Sequence, residues 1–393
     1  MLTPEHRAII TATVPILKEG GETLTRHFYL KLFNDFPEVK PFFNQTHQHG
    51  GTQQRALANS ILMYASNIER LEELGPLVKT IVNKHAALQI LPEHYPKVGA
   101  ALLGAIREVL GAEVATDAVI EAWASAYGQL ADILAGAEEQ IYQANEQAEG
   151  GWRGAREFKV AARTVESDEI TSFVFAPADG GKVVSFLPGQ YITVLVTVGG
   201  QEMRRQYSLS AESNGATYRI SVKREPDGKV SNHLHDHLNE GDSITLFPPA
   251  GAFTLAESDK PLVLISGGVG ITPTLAMLGA ALRTRRPVHF IHAARHAGVH
   301  AFRKHIDQLA EQHPQLARYY VYEQEHDSGA KAHATGYIGK AHLADWLPES
   351  RDVEAYFLGP TPFMKAMKSH LRELGVPEAQ TYYEFFGPAE ALQ

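Results

Sequence analysis

Glu146-Gln147-Ala148-Glu149-Gly150-Gly151-Trp152 separates two periodicities, and the architecture is decided on either side of it. The stretch is polar and contains glycine, which suits a linker. Before it, from Pro4 to about Gln143, apolar residues recur at helical spacing, as in Phe28, Tyr29, Leu32, Phe33 and again in Leu57, Ile61, Leu62, Tyr64. That spacing predicts an all-α domain of about six or seven helices. After it the period drops to two, in Ser172-Phe173-Val174-Phe175, Tyr191-Ile192-Thr193-Val194-Leu195-Val196, Tyr218-Arg219-Ile220-Ser221-Val222 and Ser243-Ile244-Thr245-Leu246. Clusters of Gly, Asn, Asp or Pro divide these runs, a pattern that predicts an antiparallel barrel. Beyond Lys260 apolar runs alternate with helical stretches: Leu262 to Ile265, Leu275 to Leu282, Val288 to Ile291, Ala355 to Leu358 and Phe363 to Leu371. This is the grammar of a parallel sheet. The expected domains are therefore 1–145, 150–258 and 259–393.

Composition narrows the chemistry. The chain has 393 residues, 44% hydrophobic and 21% charged, enough for two or three separate cores. Its net charge of −9 argues against a nucleic-acid footprint or an anionic-membrane footprint for the whole protein. With no cysteine, disulfides, thiolate zinc, iron–sulfur clusters and thiolate-ligated or covalently attached haem are excluded. Any metal must sit on His, Tyr or carboxylates. Met1-Leu2-Thr3-Pro4-Glu5-His6-Arg7 lacks an export signal and no window has about 18 consecutive apolar residues, so we expect a cytoplasmic chain with no membrane span.

Ser266-Gly267-Gly268-Val269-Gly270-Ile271-Thr272-Pro273 follows a buried run and opens a helical one, with Thr272 placed to cap the helix and Pro273 suited to its first turn. Glycines there let a backbone approach phosphates at a helix N-terminus, although a plain tight turn would use the same residues. The next strand ends at His292-Ala293-Ala294-Arg295 without an acidic residue for a ribose hydroxyl, which leaves NADH and NADPH both open. In the barrel, Pro188-Gly189-Gln190-Tyr191 and Arg204-Arg205-Gln206-Tyr207-Ser208-Leu209 combine a ring, a guanidinium and a hydroxyl, as a flavin nucleotide needs. A strand with Tyr207 and Leu209 inward and Arg205 solvated fits these residues equally.

Taken in order, Arg205-Gln206-Tyr207-Ser208, Gly267 to Pro273, Leu358-Gly359-Pro360 and Glu384-Phe385-Phe386-Gly387-Pro388 resemble the ferredoxin–NADP reductase family of flavoproteins. The resemblance implies FAD on Arg205, Gln206, Tyr207 and Ser208, with Tyr191 beside it. It implies a nicotinamide dinucleotide on Gly267, Gly268, Val269, Gly270, Ile271 and Thr272, and Phe386 over the flavin ring with Glu384, Phe385, Gly387 and Pro388 around it. Val222-Lys223-Arg224-Glu225 with Gly228-Lys229-Val230-Ser231 is similar to that family's second FAD segment. One departure is plain: the family's Cys-Gly-Pro reads Leu358-Gly359-Pro360, so no thiol lies near the nicotinamide.

In the helical part, His85 has Ile81 and Val82 one turn before it and Leu88 one turn after, so its ring projects from an apolar face. A lone histidine there is usually structural. The same domain, however, offers Tyr29 with Phe33, the corner Pro41-Phe42-Phe43-Asn44, and Gln53 with Leu57. His47 and His49 are rival ligands in a polar, Gly-containing loop. Glu138 lies on an apolar helix face between Leu134 and Ile141, although spacing alone favours a partly exposed helix-terminal Glu. The whole resembles the bacterial globin of flavohaemoglobins, followed by its reductase in the expected order. The resemblance implies haem b on His85, with Tyr29 and Gln53 on the distal side, Phe43 on the porphyrin and Leu57 narrowing the pocket. It also implies that Tyr95 and Glu138 hydrogen-bond His85. Lys84 would meet a haem propionate or flavin-side groups, or stay a solvated surface lysine.

The implied fold is an all-α globin, an antiparallel β-barrel FAD domain and an α/β parallel-sheet nicotinamide-binding domain. The implied activity is nitric oxide dioxygenase: NAD(P)H reduces FAD, FAD reduces haem, and O2 and nitric oxide give nitrate. The expected protein is a monomer. Rival readings are a haem-based gas sensor or carrier, a haem protein holding phospholipid or fatty acid against Leu57, Ile61 and Phe28, and a reductase without haem.

Overall fold

The computed structural model describes residues 2–43, 51–326 and 329–387. Two compact units are present. One holds the described residues of 1–147 with Gly199–Arg205 and Gly387, and the other holds the remaining described residues. No helix among the described residues is long and apolar enough to cross a membrane.

The first unit is helical. Helix α1 (Pro4–Asp35) starts where the Thr3 hydroxyl accepts a hydrogen bond from His6 N and Pro4 takes the first turn, and it continues through Pro15. It is followed by α2 (Thr52–Ser66), α3 (Gly75–Leu88), α4 (Tyr95–Val114) and α5 (Asp117–Gln147), with 3-10 turns at Pro37–Phe42, Leu71–Leu74 and Pro92–His94. The count among the described residues is thus five α-helices. Within α4 the backbone leaves helical geometry at Gly111 (φ +73°), so that span is two helical pieces joined at a kink. Ile10, Leu24, Phe28, Leu32, Ala105, Ala122 and Trp123 form the core.

Two six-stranded sheets follow, in the second unit except for Gln201–Arg205. The antiparallel one has β1 (Arg156–Val165), β2 (Ile170–Pro177), β3 (Tyr191–Val198), β4 (Gln201–Ser208), β5 (Tyr218–Lys223) and β6 (Ser243–Leu246), in the order β4-β3-β6-β1-β2-β5. The chain leaving β4 meets β5 through the Leu209–Ile220 bridge, which brings the two ends of the sheet together as a barrel requires. Phe158, Phe173, Ile192, Val194, Ile220 and Val222 are buried in it, and α6 (Lys229–His237) follows β5.

The other sheet is built from β7 (Leu262–Gly267), β8 (Val288–Ala294), β9 (Leu316–Tyr322), β10 (Ala334–Thr335), β11 (Glu354–Leu358) and β12 (Thr381–Tyr383). Its order is β10-β9-β8-β7-β11-β12, with every neighbouring pair parallel. Helices α7 (Ile271–Leu282), α8 (Arg303–Gln312), α9 (Lys340–Trp346) and α10 (Thr361–Glu373) connect it. β7 to β10 progress in one direction and β11 and β12 lie on the other side of β7. The order therefore reverses between β7 and β11, and topology of this kind places a ligand crevice at the carboxyl ends of those two strands.

Candidate functional site

The helical unit carries a hydrogen-bonded triad in which Tyr95 and Glu138 are buried and His85 is half-buried. His85 sits in the last turn of α3, where its neighbours Val82 and Ala86 are buried. Its Nδ1 lies 2.8 Å from Glu138 Oε1 on α5, and the Tyr95 hydroxyl donates to the same oxygen at 2.6 Å. Glu138 is 1% exposed, so the partly exposed helix-terminal carboxylate allowed by spacing is not what forms. A carboxylate can only accept, which places the imidazole proton on Nδ1 and leaves Nε2 as the lone-pair nitrogen. Among the described residues Nε2 has no hydrogen-bond partner. The triad is braced from behind: Tyr127 donates to Tyr95 O and Tyr142 to Ile90 O, each at 2.7 Å. Burial, and then the bond to Glu138, push the Tyr95 hydroxyl above its ordinary range, so it stays a donor.

Tyr29 is 6% exposed, and burial raises its pKa while the Gln53 side chain hydrogen-bonds it. Its ring centroid lies 5.8 Å from Phe33 and 5.7 Å from Phe43, and Leu57 packs against the same core. Tyr29, Gln53 and Phe43 are thereby brought together. Lys84 Nζ donates to Gly387 O at 3.0 Å. His47, His49, Asn44 and Pro388 lie outside the described residues.

On the barrel, Arg205, Gln206, Tyr207 and Ser208 close β4; Ser208 is buried, Arg205 and Tyr207 are half-buried and Gln206 is exposed. Arg205 Nη1 donates to Arg204 O at 2.7 Å. Tyr191 starts β3, exchanges two 2.9 Å backbone bonds with Ala250, and has its hydroxyl pushed up by burial and then by the Glu384 charge. In the second segment that resembles an FAD contact, Ser231 Oγ accepts from Glu225 N at 3.2 Å and Arg224 pairs with Asp236 at 2.6 Å.

At the crevice, Gly267 ends β7 and Gly268 adopts a left-handed φ of +55°, which favours glycine. Gly270 faces the end of β11, where a Cβ would lie 2.4 Å from Leu358 O; only glycine permits that approach. Val269 is half-buried and Ile271 is buried. Thr272 does not cap α7, contrary to expectation. The cap position is Gly270 without a side-chain bond, and the Thr272 hydroxyl turns back to Val269 O at 3.0 Å. The reason is the 3-10 turn Gly268–Gly270, whose carbonyls already receive the Ile271 N–H. Leu358 is fully buried. Beyond β12, Glu384 and Phe385 are half-buried, Phe385 is edge-on to Tyr383 at 6.0 Å, Phe386 is 49% exposed, and Gly387 accepts the Lys84 bond.

Sequence reasoning missed the polar pair beneath this crevice. His292 Nδ1 lies 2.8 Å from Ser266 Oγ, and its ring is 4.4 Å from that of His300, whose Nδ1 meets the Tyr322 hydroxyl at 2.7 Å. Burial drives the His292 pKa down to about 3 and that of His300 well below its usual value, so both rings are neutral. The only signal was a polar residue ending each of two apolar strands, at Ser266 and His292.

Three family models match: Globin over residues 26–134, Oxidoreductase FAD-binding domain over 157–255 and Oxidoreductase NAD-binding domain over 264–369. The chain is 64% identical over 392 residues to a flavohemoprotein of Burkholderia sp. (strain TH2), and 59% identical over 392 residues to one of Pseudomonas aeruginosa, in each case across 100% of both chains. Among solved structures, the flavohemoglobin of Malassezia yamatoensis with bound FAD and heme matches with a TM-score of 0.86 at 28% identity, covering 98% of this chain and all of that one. The FAD/NAD-binding domain of a nitric oxide dioxygenase from Vibrio cholerae matches at 40% identity and a TM-score of 0.56, over 60% of this chain and all of that one. Helical unit, barrel and parallel sheet follow one another as in these relatives, and the chain belongs to the flavohemoprotein family.

Proposed function

We propose that the chain is a nitric oxide dioxygenase that uses NADH or NADPH, with residues 1–145 holding one haem b, 150–258 one FAD and 259–393 the nicotinamide dinucleotide. The observation that carries this reading is the Glu138–His85 hydrogen bond. A carboxylate that accepts a hydrogen bond from Nδ1–H makes the imidazole a stronger electron donor through Nε2, a tuning that favours O2 activation over reversible carriage. The unpartnered Nε2 fits haem iron, and the 40% identity to a Vibrio cholerae nitric oxide dioxygenase supports the same reading for the reductase.

When bound, haem supplies an O2-binding iron and FAD divides a hydride's two electrons into single transfers. The chain's residues supply the rest. Tyr29, kept protonated by burial, and Gln53 present hydrogen-bond donors to O2 among the rings of Phe33 and Phe43. Glu138 and Tyr95 hold the His85 ring in one tautomer and orientation. Tyr191, Arg205, Gln206, Tyr207 and Ser208 bind the flavin, and the close approach of Gly270 to Leu358 shapes the bed for the nicotinamide. The overall balance is NO + O2 + e− → NO3−, so each NADH supports two turnovers. An absorption spectrum before and after anaerobic NADH tests the assignment. Soret and flavin bands that both change are expected; a missing Soret band, or haem that NADH leaves oxidised, refutes it.

A further inference from the structure

We propose that Asp168, His296 and His326 form a binding site for one divalent transition-metal ion of the zinc class. None of the three takes part in the haem, flavin or dinucleotide reading above. Asp168 lies in the turn between β1 and β2, His296 follows β8 and His326 follows β9. Distant parts of the sequence thus converge: one ligand atom from each residue lies within 4.8 Å of the other two. The two imidazoles are stacked, with centroids 4.8 Å apart and planes at 3°.

The backbone around them keeps the space between the ligands clear. Asp168 N donates to Gly298 O at 3.0 Å and pins the turn against the loop after β8. A Cβ on Gly298 would lie 2.3 Å from Asp168 Oδ2 and 2.8 Å from His326 Nε2, so both donor atoms point into the volume that glycine leaves free. His296 Nδ1 is buried and has no hydrogen-bond partner among the described residues. A buried ring nitrogen without a partner is costly, and a metal ion is one way to satisfy it.

Ligand chemistry sets the class. Two imidazoles and one carboxylate suit Zn2+, Ni2+ or Cu2+, whereas Ca2+ and Mg2+ take oxygen ligands. Zinc bonds of roughly 2.0–2.2 Å in a tetrahedron need ligand atoms about 3.3–3.6 Å apart. Asp168 and His326 are exposed, and rotation of their side chains would supply the closure that an ion requires. Three protein ligands leave the fourth position to water. The ion would tie the β1–β2 turn to the carboxyl edge of the parallel sheet.

The test is equilibrium dialysis of the chelator-treated holoprotein, haem and FAD retained, against Zn2+ alone. One Zn2+ per chain is expected at the tightest site, weakened at least about tenfold by Asp168→Asn and by His326→Gln. Gly298→Ala should weaken it as well, because it fills the space without removing a ligand. His233→Gln, which breaks the His233–His237 pair on α6 where the rings are 5.2 Å apart, should leave it unchanged. Circular dichroism checks that the variants fold, and Zn2+ should slow hydrogen exchange over residues 166–170 and 295–299. No retained Zn2+, equal binding by wild type, Asp168→Asn and His326→Gln, or loss of the site in His233→Gln would each overturn the proposal.

Discussion

Glu138 Oε1 lies 2.8 Å from His85 Nδ1 across 53 residues of sequence, and the pair is closed off from water on the carboxylate side, where Glu138 is 1% exposed. A charged acceptor at that distance makes a bond stronger than a neutral one by about 1 kcal/mol. Glu138→Gln should keep haem bound but lower the iron–histidine stretching frequency and raise the midpoint potential, by roughly 40 mV for a one-electron couple. Resonance Raman and potentiometry read both. An unchanged stretch with an unchanged potential would mean that the carboxylate does not tune His85.

Tyr29 is buried with its hydroxyl hydrogen-bonded to Gln53. Tyr29→Phe removes one donor and keeps the ring packing on Phe33 and Phe43. We expect the O2 dissociation rate to rise about 10- to 100-fold, as losing a hydrogen bond to a partly anionic ligand costs roughly 1.5–3 kcal/mol. Gln53→Leu should give a smaller increase. Wild-type dissociation in stopped-flow measurements on Tyr29→Phe would remove Tyr29 from the proposed pocket.

Gly270→Ala drives a methyl group to 2.4 Å from Leu358 O. It should destabilise the reductase unit by about 1–3 kcal/mol and slow haem reduction by NADH. O2 affinity of the dithionite-reduced protein should stay as in wild type. If NADH-driven reduction is unaffected, the β7–β11 crevice is not where the dinucleotide binds.

His292 and His300 give the reductase unit a pH dependence of definite sign. Their pKa values are depressed on folding, to about 3 for His292 from an ordinary 6.5. Below about 6.5 the unfolded chain therefore binds protons that the folded one does not. Stability from these rings is complete above that pH and falls as pH drops below it, because folding must then exclude protons that the unfolded imidazoles bind. Urea unfolding followed by flavin fluorescence from pH 7.5 to 5 should show this slope, and His292→Gln should reduce it. A pH-independent midpoint would contradict the buried neutral pair.

Much of the fold was legible because its signals are local. The change of period around Gly150-Gly151 separates helices from strands, and the runs at Leu262, Val288 and Ala355 mark the parallel sheet. The edge strands β10 and β12, of two and three residues, are too short to carry a periodic signal. Thr272 looked like a cap because the motif reads Gly-x-Thr-Pro; a single 3-10 turn satisfied the helix start first. The site was less legible. Nothing local links Gly270 to Leu358 or Glu138 to His85, since those contacts come from strand order and helix packing. The burial of Glu138, which spacing alone disfavoured, is a tertiary fact. So is the meeting of Asp168, His296 and His326, which lie on three separate connections.

The most direct test of the central claim is the stoichiometry of the holoprotein under air, with NO added in measured amounts and NADH, NO and nitrate followed together. The account predicts one nitrate per NO consumed and one NADH per two NO. NADH oxidation that is indifferent to NO, or NO loss without nitrate, would contradict it.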